Sequence, residues 1–343
     1  MNGHARLKPD ISVIIVNYRT ADLAIAAVES VLARAHGGRS VDVHLIDNGS
    51  AGDDGETLRA AHEAKQWDGR VTLHLESENH GFGRGNNVVL EALARRPDPP
   101  SYVFLLNPDA RLDNEAIDIL ATFLDDTPSA AAAGASVVRP DGERVTAAFR
   151  FPGAASEFAT ACGLGFVSRL LRDSHVAMPA DLSRQPVDWV TGAGFMMRFD
   201  ALRQVGFFDP DFFLYFEETE LLWRLRKTGH AIWYVPEARV VHVAGAATGM
   251  KGGRVQDRPQ PGYWYDSWRL YHVKTRGRTG ARLVALARLG GALVNVLQNG
   301  LRGRGATLPA RFFPDFGRFV LTPLFLGDPL LARPDGKTVR APR

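Results

Sequence analysis

Three glutamates, Glu217, Glu218 and Glu220, stand between an aromatic run (Phe212-Phe213-Leu214-Tyr215-Phe216) and a helical pattern of Leu221, Leu222 and Leu225. Carboxylates at the mouth of an apolar wall are costly unless they are solvated, paired or used for chemistry. An acidic first helical turn that complements the helix dipole accounts for them equally well. A second carboxylate, Asp109, closes an apolar strand in Asn107-Pro108-Asp109. One or two carboxylates plus substrate phosphates are the usual setting for a hard divalent cation, while Asn-Pro-Asp is equally good β-turn chemistry. His242 follows a short strand at residues 239–241 and gains interest only from a carboxylate site nearby. The third constellation is Asn79-His80-Gly81-Phe82-Gly83-Arg84-Gly85-Asn86-Asn87, ahead of a helix expected from about Val88. Alternating glycines let backbone approach a ligand closely, and a helix N-terminus favours an anion such as a diphosphate. Its GxGxG spacing, after a third strand, is not the dinucleotide-binding GxGxxG that follows a first strand.

Strands must position these residues. Residues 11–16 (ISVIIV) form a continuous β-branched run, as a parallel strand covered on both faces requires. A helical pattern follows through Leu23, Ile25, Ala27, Val28, Val31 and Leu32. Residues 41–46, 71–75 and 102–106 read as three more strands, two of them ending in turn residues. Strands alternating with helices predict an α/β domain with a largely parallel sheet. Ligands bind outside the carboxyl ends of such strands. Asn17, Asp47 and Asp109 close strands one, two and four, so all three are expected at one crevice. Beyond residue 130 the pattern loosens up to Pro186. Residues 245–262 read as a mobile loop, residues 263–271 are aromatic and basic, and residues 282–299 predict an amphipathic helix with Arg282 and Arg288 on its polar side.

A chain of 343 residues with 45% hydrophobic and 23% charged residues has the makeup of an ordinary globular protein. Its single cysteine, Cys162, excludes an intrachain disulfide and fits a reducing compartment. The N-terminal MNGHARLKPD has no apolar core of the signal-peptide kind. No uninterrupted apolar run reaches the roughly 18 residues of a membrane span, so none is expected. The net charge of +3 conceals a division. Residues 1–250 carry 24 Lys+Arg against 33 Asp+Glu, and residues 251–343 carry 17 against 5. A basic extension suits an anionic surface. Nucleic acid is not the expected partner, because no helix-turn-helix, zinc-finger or RNA-binding signature accompanies the charge.

The order ISVIIVNYRT, LIDNGS, NHGFGRGNN, FLLNPDA, WVTGAGFMMR and YFEETELLWRLRKTGHAIWYVPEARVVH resembles the family 2 glycosyltransferases, most of all their bacterial rhamnosyltransferase-like branch. The resemblance spans about residues 10–245, and six motifs in order are far more specific than any one of them. It implies a GT-A fold, a Rossmann-like, mostly parallel sheet with helices on both faces, here followed by a basic, partly helical C-terminal extension. The implied domains are residues 8–250, with a nucleotide-binding half at 8–130 and an acceptor half at 131–250 that carries the catalytic acids. Residues 251–343 form the extension, a candidate for membrane association.

The resemblance also implies inverting transfer of a sugar, L-rhamnose from dTDP-rhamnose being favoured, to a hydroxyl of a cell-envelope or polysaccharide precursor, lipid-linked in the favoured case. By position, Asn17 and Asp47 match residues that contact base and ribose, and Asn79, Gly81 and Asn87 match the loop shaping the nucleotide-sugar pocket. Asp109 matches the last acid of the metal-binding DxD-type motif, His242 the histidine that completes a Mg²⁺ or Mn²⁺ site, and Glu218 the catalytic base, with Glu217 as the alternative. Thr191, Gly192 and Gly194 are expected to wall the donor sugar or acceptor. Three departures stand out: glutamate at 218 and 220, where aspartate is commoner, and Asn107 in place of a first DxD aspartate. The expected location is cytoplasmic, and two readings of the extension stand side by side: Arg269, Lys274, Arg276, Arg278, Arg282 and Arg288 flank apolar residues that sit in a lipid headgroup layer at the inner face of the membrane, or the amphipathic helix packs onto the protein's own body. Two rivals belong to other classes. A sugar nucleotidyltransferase needs a glycine-rich basic loop after strand one, which Asn17-Tyr18-Arg19-Thr20 lacks. A non-catalytic carbohydrate-binding protein has no need of Asp109, Glu217, Glu218 and His242 together.

Overall fold

The computed structural model describes residues 10–243 and 258–327. Most of the stretch expected to be a mobile loop (residues 244–257) and the end of the basic extension (residues 328–343) lie outside the described residues.

The first half alternates as the periodicity predicts: β1 (Ile11–Asn17), α1 (Ala21–Leu32), β2 (Val41–Asn48), α2 (Asp54–Ala64), β3 (Val71–Glu76), α3 (Phe82–Ala94) and β4 (Tyr102–Leu106). There follow β5 (Ala110–Leu112), α4 (Ala116–Asp126), β6 (Ala130–Val138), β7 (Arg144–Val145), β8 (Ala148–Phe149), α5 (Ala154–Cys162) and α6 (Gly165–Leu170). The second half continues with β9 (Gln185–Val187), β10 (Trp189–Val190), β11 (Gly194–Arg198), α7 (Phe199–Val205), α8 (Glu217–Lys227) and β12 (Ala231–His242). Three helices end the described chain: α9 (Gly262–Leu301), α10 (Phe312–Phe316) and α11 (Thr322–Leu326).

The main sheet runs β3-β2-β1-β4-β11-β6-β12-β5. It is parallel from β3 through β4 and again between β6 and β12, while β11 and β5 run antiparallel to their neighbours. Every residue of β1 is buried, as its unbroken apolar sequence requires. The stretch after residue 130, poorly periodic in sequence, contains β6, a fully buried strand near the sheet centre. Its run of alanines lacks the β-branched signature of a strand. Small side chains are nonetheless what the place demands, since a Cβ on Gly134 would lie 2.6 Å from Val190. β12 is longer than the three-residue strand expected before His242, and its register shifts between Val235 and Arg239, around Pro236.

The α3 boundary differs from expectation. The helix begins at Phe82, so Gly83, Gly85, Asn86 and Asn87 lie within it and not in a loop before it. Gly83 packs on Phe208 and Gly85 on Val16 and Asn48, each with contacts near 3.1 Å for an added Cβ. Those two glycines therefore serve close packing of the helix. Gly81, the N-cap residue, has φ 79°, and a Cβ there would fall 1.9 Å from the Phe213 carbonyl oxygen. Only glycine fits that position.

Helix α9 replaces the expected short amphipathic helix with 40 residues, bent at Gly277 (φ 70°). It packs on α5 and α8 and forms a second apolar cluster with Phe312, Phe316, Val320 and Leu324. Most of the cations expected to face lipid are engaged by the protein's own body. Arg269 is buried and bonds Asp266 and the Phe319 carbonyl. Lys274 pairs with Asp209 and Asp211 at 2.8 and 2.7 Å. Arg276 donates to the Pro152 carbonyl, and Arg282 to that of Leu324. Arg288, expected on a polar side, bonds the buried Glu157 and lies over Trp264, Trp268 and Phe312. Free guanidiniums inside a helical lobe are unaffordable, so each finds a carbonyl, a carboxylate or a ring face. Of the six, Arg278 alone is exposed with no partner among the described residues.

Candidate active site

A cavity of about 520 Å³ opens at the carboxyl ends of the parallel strands, within the size range of small-molecule sites. Of the residues singled out in the sequence it is lined by Asn79, Gly81, Asp109, Thr191, Gly192, Glu217, Glu218 and His242. Elements far apart in the chain thus converge on one space, as the strand-end rule predicts.

Asp109 and His242 meet because β12 pairs with β5, setting His242 opposite Ala110. The His242 Nε2 lies 2.9 Å from Asp109 Oδ1, and the Val243 amide donates to the Asp109 carbonyl at 3.0 Å. No group of three or more His, Cys, Asp or Glu side chains clusters as a metal cage among the described residues.

Glu217 and Glu218 occupy the first turn of α8, preceded by two consecutive residues in the left-handed region, Tyr215 (φ 72°) and Phe216 (φ 67°). Such backbone costs on the order of 1–3 kcal/mol per non-glycine residue and persists only where surroundings over-determine it. Here aromatic packing fixes it. Tyr215 stacks on Tyr263 at 6.1 Å, and Phe216 packs against Trp264 and Tyr271 at 5.8 and 5.5 Å. All three partners belong to α9. Further down α8, Glu220 forms a two-oxygen bond to Arg224 Nε at 2.8 and 2.9 Å. Arg224 in turn bonds the Val205 and Phe207 carbonyls, which ties the helix to the preceding loop. Glu220 is therefore structural.

The two other glutamates differ. Glu217 is 2% exposed, and its Oε2 has no hydrogen-bond partner among the described residues. Glu218 is half-buried and faces the cavity. Burial, reinforced by the Glu218 charge, pushes the Glu217 carboxyl well above the usual carboxylate range, and burial raises Glu218 as well. A carboxyl held above its ordinary range beside an open space is the condition of a general base.

Four singled-out residues do not line the cavity. Asn17 is fully buried; its Nδ2 donates to Asp47 and Asp54 at 3.0 Å each, and its Oδ1 accepts from the Thr20 amide. Together Asn17 and Asp47 join the end of β1 to α1 and α2. Asn87 exchanges both hydrogen bonds with the Phe208 backbone, at 2.9 and 3.1 Å. Gly194 lies within β11, where an added Cβ would meet Val240 at 2.9 Å. The amides of Gly81 and Phe82, expected to face a diphosphate, are taken by Asn79 Oδ1 and the Phe213 carbonyl.

Reading the sequence missed Tyr18, Asn48, Phe82, Asn107, Phe213, Tyr215 and Tyr263, all of which line the cavity. Asn48 holds the loop, with Nδ2 donating to Asn79 Oδ1 and the Gly81 carbonyl and Oδ1 accepting from the His80 amide. A strand-end rule applied one residue later would have found it. Tyr263 had no such signal, because it reaches the cavity from α9, across an interval of more than forty residues from the glutamates.

A parallel-to-mixed sheet with a cavity at its carboxyl edge is the architecture of a GT-A glycosyltransferase, and here a carboxylate–histidine pair and two raised glutamates line that cavity. Residues 9–255 match the sequence profile of "Glycosyltransferase like family 2", and the chain belongs to that family. It is 30% identical over 218 residues, 62% of its own length and 69% of the relative's, to the N-acetylglucosaminyl-diphospho-decaprenol L-rhamnosyltransferase of Mycobacterium tuberculosis. It is 27% identical to the rhamnosyltransferase WbbL of Escherichia coli, over 48% of this chain and 61% of that one. Among solved structures it is similar in fold to the mannosyltransferase PcManGT from Pyrobaculum calidifontis in complex with GDP-Man and Mn²⁺. That match has a TM-score of 0.54 and 15% identity, covering 94% of this chain and 82% of that one. A second likeness, at TM-score 0.51 and 15% identity, is to GalNAc-T7 with UDP, GalNAc and Mn²⁺; it covers 69% of this chain and 44% of that one.

Proposed function

We propose that the protein is an inverting rhamnosyltransferase that moves L-rhamnose from dTDP-rhamnose to a hydroxyl of a lipid-linked saccharide in cell-envelope synthesis, working at the inner face of the cell membrane. The observation that carries this reading is the convergence of Glu217 and Glu218 with Asp109 and His242 on one cavity. The likeness to the mycobacterial enzyme supports both the sugar and the lipid-linked acceptor, and the likeness to the Escherichia coli rhamnosyltransferase supports the sugar.

In the proposed step Glu218 takes the proton from the acceptor hydroxyl, whose oxygen forms the new bond at the anomeric carbon as the nucleoside diphosphate leaves from the opposite face. Burial keeps Glu218 basic, and at the neighbouring Glu217 burial and the Glu218 charge together hold the carboxyl higher still. Asp109 and His242 supply one carboxylate and one imidazole, a donor set that fits Mg²⁺ or Mn²⁺ completed by substrate phosphates. Such a cation, when bound, neutralises charge on the departing diphosphate. Thr191 and Gly192 wall the sugar side. Asn17 and Asp47 act on the nucleotide indirectly, by holding the ends of β1 and β2, and Asn79 shapes the loop through Asn48. We assign the chemistry to residues 8–250, nucleotide binding mainly to 8–130 and the acceptor side to 131–250.

A thermal-shift series of dTDP, UDP and GDP with and without Mn²⁺ tests the donor side, since stabilisation grows as RT ln(1 + [L]/Kd). The expected result is a metal-dependent shift largest with dTDP. No shift with any of them sinks the reading, and a larger shift with UDP or GDP replaces the donor.

A further inference from the structure

Beyond Gly277, helix α9 is buried along one side only. Ala281, Val284, Ala285, Gly291, Ala292 and Asn295 are buried, and Gly291 sits so close to α5 that an added Cβ would lie 2.4 Å from the Phe158 carbonyl oxygen. Asn295 and Gln298 both donate to the Cys162 carbonyl, at 3.2 and 2.9 Å. On the other side Leu283, Leu286, Leu293, Leu297 and Leu301 are between 50% and 81% exposed. At 3.6 residues per turn these five fall within about a quarter of the helix circumference, as a stripe ~27 Å long. Near the start of the stripe, Arg282 bonds the Leu324 carbonyl and lies 5.2 Å from the Phe325 ring. Phe325 and Leu326 of α11, both exposed, extend the apolar surface there. Contiguous apolar surface of this extent marks an interaction site.

The charges around it select the partner. Residues 258–327 hold eleven Lys+Arg against two Asp+Glu. Both carboxylates are engaged, Asp266 with Arg269 and Asp315 with Arg311. Arg278, Arg302, Arg304 and Arg318 are exposed and have no carboxylate partner among the described residues. A second copy of this lobe would bring like charges together, whereas anionic headgroups neutralise them. By length and mean hydropathy (1.4 over its most apolar window) α9 is able to cross a bilayer. Its other side, however, is seated on α5 through Asn295 and Gln298, which both bond the Cys162 carbonyl, so the apolar stripe can only lie along a surface.

We propose that the Leu283–Leu301 stripe of α9, with Phe325 and Leu326, docks in the plane of an anionic phospholipid bilayer. This deepens the transferase reading and rests on it for its purpose: the same helix begins beside the cavity, where Tyr263 is a wall residue, so docking brings a lipid-linked acceptor to the glutamates.

The test is co-sedimentation of the full chain with vesicles of phosphatidylcholine, with and without phosphatidylglycerol, at low and high salt. The wild-type chain is expected to pellet with anionic vesicles at low salt. Leu286→Glu/Leu293→Glu/Leu297→Glu is expected to lower that binding at least about tenfold, since three apolar side chains no longer enter the acyl boundary, while melting temperature and the dTDP shift stay unchanged. Arg278→Gln/Arg302→Gln/Arg304→Gln is a second, milder variant expected to weaken binding to anionic vesicles and leave the small binding to neutral ones. Wild-type pelleting no greater than a lipid-free control overturns the proposal, as does full binding by both variants. So does a concentration-dependent dimer in ultracentrifugation that the leucine variant abolishes, without vesicle binding, because a second copy is then the occupant. Nucleotide binding without vesicle binding removes the docking alone. Vesicle binding without nucleotide binding leaves the docking and removes the transferase reading.

Discussion

Two buried carboxylate sites in this molecule are built in opposite ways. At the seam between α5 and α9, Glu157 accepts from Arg288, whose guanidinium lies 5.3 Å from the Trp264 ring centre and 5.8 Å from those of Trp268 and Phe312. The charges are paired and the guanidinium is covered by ring faces, as a buried ion pair demands, although the Arg288 Nε has no hydrogen-bond partner among the described residues. At the head of α8, Glu217 is as deeply buried, but its nearest charged neighbour is another carboxylate and one of its oxygens is unpartnered. The fold could have placed an arginine there and has not. A matched buried charge holds structure together; an unmatched one beside an open cavity is where chemistry is to be sought.

The contrast breaks first if the α8 glutamates prove inert. Glu218→Gln removes the proposed base and leaves the shape, so turnover is expected to fall by roughly two to four orders of magnitude. The dTDP thermal shift is expected to stay, because donor binding does not need the base. Turnover within tenfold of the wild type would falsify the assignment of Glu218. Glu217→Gln is expected to have a much smaller effect on turnover than Glu218→Gln; the reverse order exchanges the two roles.

The matched site makes the opposite prediction, loss of stability without loss of chemistry. Arg288→Met strands Glu157 and is expected to cost about 3–5 kcal/mol in urea unfolding, whereas the double variant Glu157→Leu/Arg288→Met recovers most of it. If the double variant is no more stable than Arg288→Met alone, the pair is not the unit described.

The pH dependence follows from the raised α8 carboxyls. A base works deprotonated, so kcat/KM is expected to fall as pH falls through a value above the usual carboxylate range, and Glu218→Gln removes that limb. Stability moves the other way. A carboxyl whose folded pKa is raised keeps its proton longer in the folded state than in the unfolded one. Stability is therefore full below the ordinary carboxylate range and declines as pH rises through the raised value. Glu217→Gln is expected to abolish that decline and to raise the melting temperature at neutral pH by a few degrees, with little change at pH about 4, where the unfolded carboxyl is itself protonated in large part. A melting temperature unchanged at both pH values shows that Glu217 is not held high.

How much of this was legible in the sequence depends on which physical signal each part carries. The β1 to β4 half was plain, because buried parallel strands are unbroken apolar runs and their ends are turns. The alanine-rich β6 was not, since tight packing against Val190 overrode strand propensity. Of the site, the acids and the histidine were legible from residue type and order. Asn17, Asp47 and Asn87 occupy the positions that motif order gives them, yet their side chains are engaged in joining elements, a matter of hydrogen-bond partners that no spacing reveals. The basic residues of α9 misled for the same reason: composition counts a charge and does not see the carbonyl that receives it.

The smallest effect concerns Tyr263, the one cavity residue that the C-terminal lobe contributes among the described residues. Tyr263 stacks on Tyr215 at an interplanar angle of 14° and packs edge-on against Phe213, and all three rings line the cavity. Through Tyr215 it braces the strained turn that aims Glu217 and Glu218, and its ring also offers an apolar face to an acceptor. The two effects separate kinetically. Tyr263→Phe preserves the stack and is expected to be close to wild type. Tyr263→Ala removes the contacts to both Tyr215 and Phe213; with the part felt at the site set at one aromatic pair, roughly 0.5–1.5 kcal/mol, the rate constants are expected to change about two- to tenfold. A rise in acceptor KM with kcat unchanged assigns the ring to acceptor binding, and a fall in kcat with KM unchanged assigns it to bracing the turn. No change in either separates the C-terminal lobe from the chemistry and leaves α9 to its docking surface alone.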